Sequence, residues 1–130
     1  MRGDPFHNEL AGKVRALLER LGWQVWTERR FVAAGTTAYF DLFAVKDGHE
    51  IAFEVETTAR HALDNARKAH VMGVLVWFIA PRRGTKRQII ARLDRFLVAG
   101  SEAVKVLLLG EVESELAHHV TGQSTKNQHY

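Results

Sequence analysis

Three carboxylates stand among apolar residues in the stretch between Tyr39 and Thr58. Asp41 lies within the segment YFDLFAV, and Glu54 and Glu56 alternate with apolar residues in the segment IAFEVE. Burying an isolated carboxylate is costly, so acids in such surroundings are usually paired, protonated or bound to a cation. Clustered carboxylate oxygens are also the ligands that a hard divalent ion such as Mg²⁺ prefers. The stretch therefore predicts either a metal site or a set of structural ion pairs.

The same stretch is predicted to form a β-hairpin with strands over residues 39–46 and 49–57. Asp47-Gly48 between the strands favours a tight turn, because both residues tolerate positive φ. Side chains alternate between the two faces of a strand. Glu54 and Glu56 are therefore expected on one face of the sheet, with Val55 on the other.

Length and composition bound the class of protein. The chain has 130 residues, 46% of them hydrophobic, so we expect a single domain over residues 1–121 followed by a polar, disordered tail over 122–130. The absence of cysteine excludes thiolate catalysis, disulfides and cysteine-bound zinc. No apolar run has the length of a membrane span or the pattern of a signal peptide, so a cytoplasmic protein without a membrane partner is expected. The net charge of +3 is compatible with nucleic acid as a partner.

Hydrophobic periodicity and turn residues predict an α/β chain. Helices are expected from residue 5 to Gly22, over 59–72, from a capping box at Thr85 to a stop at Gly100, and over 111–120. Besides the hairpin, strands are expected over 23–31, 74–80 and 104–109, and residues 33–37 are expected to be a loop. A hairpin followed by right-handed crossovers gives a mixed sheet with helices on both faces.

In the order of these elements and in its acidic pattern, the chain resembles the PD-(D/E)xK nuclease superfamily, which includes restriction endonucleases and Holliday junction resolvases. Asp41 matches the first acid, and Glu54-Val55-Glu56 matches D/E-x-K with Glu56 in the lysine position. Phe40 stands where the motif has proline. The resemblance covers about residues 5–80 and implies a restriction-endonuclease-like αβββαβ core, a mixed central sheet flanked by helices.

The resemblance also implies a Mg²⁺-dependent (or Mn²⁺-dependent) DNA endonuclease that works as a homodimer. Asp41 and Glu54 would be metal ligands, helped by the backbone carbonyl of Val55. Glu56 would be a general base or a further ligand, and its charge would increase the dependence on metal. No Gly-rich phosphate loop is present, so a nucleotide cofactor is not expected.

Further residues are candidates to assist the same site. Resolvase-like members of the superfamily carry a glutamate in the first helix, and Glu9 is the positional candidate here. Glu9 lies off the apolar stripe of that helix, whereas His7 lies nearer to it. Asn65 on the flank of the second helix can reach the site, and Lys68 is a candidate to replace the missing lysine, although it faces away from the buried stripe.

A basic cluster precedes and opens the third predicted helix. Positive charge at a helix N-terminus opposes the helix dipole, so local stability does not explain the cluster. Contact with phosphate explains it, and a solvated loop is the alternative. The predicted DNA-contacting residues are Arg82, Arg83, Lys86 and Arg87, extended by Arg29 and Arg30.

Two other interpretations of the acids stay open. In the first, Glu in place of lysine marks a catalytically inactive nuclease fold, which would be a DNA-binding or accessory protein of a mobile element or restriction system. In the second, Asp41 and Glu54 only form ion pairs with Arg29, Arg30 or Arg60. The first predicts DNA binding without cleavage, and the second predicts neither DNA nor metal binding.

Overall fold

The computed structural model of the protein describes residues 4–94 and 103–128. Its elements, in chain order, are α1 (Pro5–Arg20), β1 (Gln24–Thr27), β2 (Arg30–Ala33), β3 (Thr36–Tyr39), β4 (Leu42–Lys46), β5 (His49–Val55), α2 (Ala62–Met72), β6 (Leu75–Ala80), α3 (Arg83–Leu93), β7 (Val104–Leu108) and α4 (Leu109–Gln128). Within these two ranges, no helix is long and apolar enough to cross a membrane.

The main sheet has five strands in the order β1-β4-β5-β6-β7. The pairs β1–β4 and β4–β5 are antiparallel, and the pairs β5–β6 and β6–β7 are parallel. The helices α2 and α3 provide the connections between the parallel strands. The expected α/β fold with a mixed sheet is confirmed, and its elements α1, β1, β4, β5, α2 and β6 follow one another in αβββαβ order.

Helices cover both faces of this sheet, so the core has two layers. On one face, α1 and α4 pack against the strands through Leu10, Val14, Leu18, Val112 and Leu116. On the other face, α2 and α3 pack through Ala62, Ala66, Ala69, Ile89 and Leu93. Each fully buried large aliphatic side chain contributes about 1.5–3 kcal/mol of hydrophobic free energy, so both layers are needed to hold the sheet.

The close approach of α2 to the sheet has a simple cause in its sequence. Its inward face carries Ala62, Ala66 and Ala69, which are at most 1% exposed. Small side chains at this helical spacing let the helix backbone lie near the strands. Asn65, next to this stripe, is thereby brought to the sheet surface.

The region before β4 differs from the expectation. Residues 23–31, predicted as one strand, form two strands separated at Glu28, which has φ of 52°. Residues 33–37, predicted as a loop, form the tight turn of a β2–β3 hairpin, with positive φ at Ala34 and Gly35. The predicted strand over 39–46 is interrupted at Phe40 and Asp41. Only the first part of the strand predicted over 23–31 therefore joins the main sheet, and residues 30–39 form a separate two-stranded hairpin.

Two helix starts also differ. The N-cap of α3 is Arg82, and Thr85, expected to open the helix, is buried inside its first turn. The N-cap of α2 is His61, three residues after the expected Thr58. The predicted stop at Gly100 lies outside the described residues. In the structure α4 continues to Gln128, so most of the segment predicted as a disordered tail is helical.

Candidate functional site

The strand register brings the candidate residues to one edge of the sheet. One row of paired positions crosses the sheet through Thr27, Leu42, Phe53 and Trp77. Asp41 precedes this row at the start of β4. The acids of β5 follow the row directly, as do the ends of β1 and β6. The acids and the residues after β1 and β6 therefore share one edge, which we call the acidic edge.

Asp41 is held by the neighbouring strand and by α1. Its Oδ2 accepts a hydrogen bond of 2.8 Å from the Val55 N–H and lies 3.1 Å from His7 Nε2. The Glu56 N–H donates to Ile79 in β6, so the Val55 N–H on the preceding residue faces β4. β4 begins only at Leu42. The Asp41 carboxylate therefore accepts the hydrogen bond from Val55 that a backbone carbonyl of a longer β4 would otherwise accept.

Glu54 and Glu56 are both 2% exposed at the end of β5. They share a strand face with Ala52, which packs in the layer of α2 and α3. Glu56 Oε1 accepts a hydrogen bond of 2.8 Å from Asn65 Nδ2. Asn65, predicted to reach the candidate site, therefore contacts Glu56. Carboxylates buried this deeply are costly, which is typical of functional sites.

The carboxylate oxygens at this edge are the type of ligand that a hard divalent ion prefers. Among residues 4–94 and the described residues from 103 on, no three His, Asp or Glu side chains form a group that could hold a metal ion. Mg²⁺ usually needs only one or two carboxylates, because water and substrate phosphate supply its other ligands. Asp41, 14% exposed at its side chain, and Glu54 offer that smaller set of oxygens.

His7 is the α1 residue that reaches the acidic edge. Its side chain is buried, with Nε2 at 3.1 Å from Asp41 Oδ2 and Nδ1 at 3.3 Å from Asn8 Oδ1. A sequence signal existed, since His7 shares the stripe of Leu10 and Val14 at helical spacing. Residue type and stripe alone do not tell a core histidine from a site histidine.

Two of the predicted auxiliary residues lie away from this edge. Glu9 is 65% exposed and forms an i,i+4 ion pair with Lys13. Lys68 forms a similar pair with Asp64 on the outer face of α2. Neither side chain is brought to Asp41 or Glu56, because each points away from the buried stripe of its helix.

The basic cluster at α3 lies next to the acidic edge. Arg82, Arg83 and Arg87 are exposed, and only Pro81 separates Arg82 from the end of β6. Lys86 Nζ instead forms an ion pair of 2.8 Å with Glu111 Oε1. Three of the four predicted phosphate-contacting cations are therefore presented to solvent, and the fourth is engaged within the fold.

Glu111 links the N-terminal turns of α3 and α4. Its Oε1 accepts the Leu108 N–H at 2.7 Å, which satisfies a backbone donor at the N-terminus of α4. This hydrogen bond from Leu108, followed by that from Lys86, lowers the pKa of Glu111 below its ordinary value of 4.5. Glu111 is therefore a charged structural link at the sheet edge that carries β7.

Arg29 and Arg30 lie just beyond β1 and have different surroundings. The Arg29 guanidinium stacks on three rings, 5.1 Å from the centroid of Trp26, 5.3 Å from Phe43 and 5.8 Å from Phe31. Arg30 is exposed on β2, opposite Tyr39 on β3. Arg29 therefore stabilises the base of the hairpin, and Arg30 is available on its surface.

A cleft of about 790 Å³ opens between α1 and the β2–β3 hairpin. Asp41 and His7 lie in its wall. Its other lining residues are Asn8, Ala11, Gly12, Arg15, Thr27, Glu28, Tyr39, Phe40 and Leu42. The cleft gives a ligand of nucleotide size access to the Asp41 carboxylate.

Comparison with known proteins gives no assignment. The chain matches no protein-family model, and a search of curated proteins finds no match. Function must therefore be inferred from the acidic edge and the surfaces around it.

Proposed function

We propose that the protein is a Mg²⁺-dependent (or Mn²⁺-dependent) DNA endonuclease of the PD-(D/E)xK type. One observation carries the proposal: Asp41, Glu54 and Glu56 all stand at the same edge of an αβββαβ sheet, Asp41 just before β4 and the two glutamates at the carboxyl end of β5. Ligand sites of sheets with parallel strands are commonly found beyond the carboxyl ends of those strands. Carboxylates in such a place suit metal-assisted phosphodiester hydrolysis.

Each residue has a role in this proposal. Bound Mg²⁺ supplies charge that offsets the negative charge developing on the phosphate and acidifies water. Asp41 and Glu54 hold the ion, with the Val55 carbonyl as a further donor. The Val55 N–H and His7 fix the orientation of the Asp41 carboxylate. Glu56, oriented by Asn65, takes the proton of the attacking water.

The partners follow from the charges at the acidic edge. Arg82, Arg83 and Arg87 contact phosphates beside the site, and Arg30 contacts them from the hairpin side. Two copies of the chain act as a homodimer, one active site for each DNA strand. The cytoplasmic location expected from the sequence belongs to the same proposal.

One observation favours a second candidate, a nuclease fold that binds DNA without cutting it. Glu56 occupies the position of the motif lysine, is buried and is hydrogen-bonded to Asn65. A carboxylate in this position lacks the cation that stabilises the transition state in lysine-bearing members. Such a protein would serve as an accessory factor of a mobile element or restriction system.

Cleavage of linear and branched DNA tests the proposal. Wild-type protein is expected to cut in Mg²⁺ or Mn²⁺ and to be inactive in EDTA, and Asp41→Asn is expected to lose about 100-fold or more in rate. The matched control is Glu9→Gln, which removes an exposed carboxylate from α1 and should retain activity. DNA retarded on a gel but not cut under any of these conditions would support the second candidate instead.

A further inference from the structure

The outer face of the β2–β3 hairpin carries an exposed aromatic residue, Tyr39. The inner face holds the hairpin in place through Phe31, whose ring packs edge-on against Phe40 and Phe43 at 5.3 and 5.0 Å. The residues of the outer face are Arg30, Val32, Thr37 and Tyr39, and all four are exposed.

Tyr39 stands where this face meets the cleft. Its side chain is 59% exposed, although it also lines the cleft that contains Asp41. Only Phe40 separates Tyr39 from Asp41 in the chain, so the ring lies beside the acidic edge. An aromatic face left open to solvent at this place can stack on a planar ligand.

Arg30 places a cation beside Tyr39 that can contact phosphate. Arg30 is the directly paired residue of Tyr39 across the hairpin. Within the described residues, Arg30 forms no ion pair, and its guanidinium can therefore contact phosphate or stack beside the ring. Arg15 lies on the α1 side of the cleft, where its Nε is 3.6 Å from Glu19 Oε2, and Glu28 and Asp41 add carboxylates to the same wall. Aromatic rings combined with cations along a groove are typical of surfaces that bind single strands.

The cleft also has the size and the polar groups that a nucleotide needs. Its volume of about 790 Å³ lies within the range of sites that enclose ligands of nucleotide size. Asn8 and Thr27 in its wall offer hydrogen-bonding groups to the edge of a base. In a continuous duplex the bases are stacked on each other, so only an unpaired base can enter.

We infer that Tyr39 and Arg30 form a platform on which an unpaired nucleobase stacks, so that the backbone of that strand passes Asp41. The substrate is then single-stranded or locally unpaired DNA, such as an overhang, a flap or a branch point. This inference rests on the proposed function and names its substrate class.

Binding of a fluorescent single strand and of the matching duplex, measured by anisotropy in EDTA, tests the inference. Tyr39→Leu is expected to weaken binding of the single strand about tenfold, whereas Tyr39→Phe, which keeps the stacking face, stays within about twofold of wild type. Binding of the duplex should change little in either variant. Phe6→Leu, at an exposed aromatic outside the cleft, is the matched control and should leave both affinities unchanged.

A crosslinking measurement uses the wild-type protein and so does not depend on whether the variants fold. Ultraviolet irradiation of the wild-type complex with a strand that carries 5-iodouracil should give a crosslink at Tyr39, identified by mass spectrometry. Equal losses for Tyr39→Leu and Tyr39→Phe, or a crosslink elsewhere only, would overturn the inference. If wild type cuts duplex DNA and Tyr39→Leu changes nothing, this inference fails and the proposed function stands. If wild type binds neither form of DNA, both fail.

Discussion

At the scale of single residues, the geometry of Asp41 is the most informative feature. One carboxylate oxygen meets both a strand N–H and a histidine on a helix that is distant in sequence. Two partners on one oxygen restrict the orientation of the carboxylate. Residues that hold a metal ligand in place in this way commonly affect metal affinity and rate by 10–100-fold, as an order of magnitude.

His7→Ala tests this role of the histidine. We expect the cleavage rate to fall about tenfold and the Mg²⁺ concentration for half-maximal activity to rise, because Asp41 loses one of its two restraints. Metal titrations of activity measure both effects, and excess Mg²⁺ should restore part of the rate. His118→Ala, at an exposed histidine of α4, is the control. An unchanged metal requirement in His7→Ala would show that the histidine has only a packing role.

Residue patterns predicted part of this site. Asp41, Glu54 and Glu56 stand out because acids in apolar strands are costly, and Asn65 because it flanks the buried stripe of α2. His7 was not singled out as a partner of Asp41, because that contact depends on how α1 crosses the start of β4. Glu9 was favoured by analogy, but its position on the outer face of α1 pairs it with Lys13.

At the scale of elements, the largest difference between the predicted and the observed structure lies in the strands before Asp41. Turn chemistry predicted the Asp47-Gly48 turn, where both residues have positive φ. The turn at Ala34-Gly35 has the same geometry, but alanine is rarely found at positive φ and gave no signal. The helix start at Arg82 was missed for a similar reason, since its cap uses no side-chain hydrogen bond. Local rules succeed where a residue type favours the backbone conformation of a turn or cap. The Ala34-Gly35 turn and the start of α3 have no such residue at the deciding position.

The α3–α4 link at Glu111 makes a prediction about pH. The pKa of Glu111 is lower in the folded than in the unfolded chain, so its stabilisation is complete above the ordinary value of 4.5 and is lost as the pH falls through the lower folded value. Glu111→Gln should therefore be less stable than wild type at neutral pH, and the difference should shrink below about pH 4.5.

Urea unfolding over a range of pH measures this difference in free energy. The control is Glu113→Gln, which removes an exposed carboxylate of the same helix that pairs with Arg20 at 3.2 Å. Such surface pairs contribute at most about 1 kcal/mol, so a smaller effect is expected. A stability difference for Glu111→Gln that stays constant down to acid pH would contradict the assigned role of the charge.

At the scale of the whole molecule, the proposed site lies at one edge of the sheet, between the two helical layers. The start of β4 and the ends of β1, β5 and β6 meet there, although they come from distant parts of the chain. The sequence predicted this mixed sheet because apolar runs and crossovers allow few topologies. It could not predict the cleft, which depends on how α1 lies beside the end of β1 and the residues that join β3 to β4.

Binding of Mg²⁺ should be visible in the stability of the whole molecule. A ligand that binds only the folded state stabilises it, by about 1.4 kcal/mol at a tenfold excess over the dissociation constant. For a domain of this size that corresponds to a rise in Tm of about 4 °C. Thermal unfolding with and without Mg²⁺ checks this, and Asp41→Asn should abolish the rise whereas Glu9→Gln should keep it. An equal rise in both variants would indicate binding elsewhere.

The most direct test of a metal-dependent nuclease site at the acidic edge is cleavage of supercoiled plasmid and of branched DNA in Mg²⁺ by wild type and by Glu54→Gln. The substitution keeps the shape of a side chain that is 2% exposed and removes its charge. Cleavage by wild type with a loss of about 100-fold or more in Glu54→Gln is the predicted result. Equal cleavage by both proteins, or none by a folded wild type that still binds DNA, would contradict it.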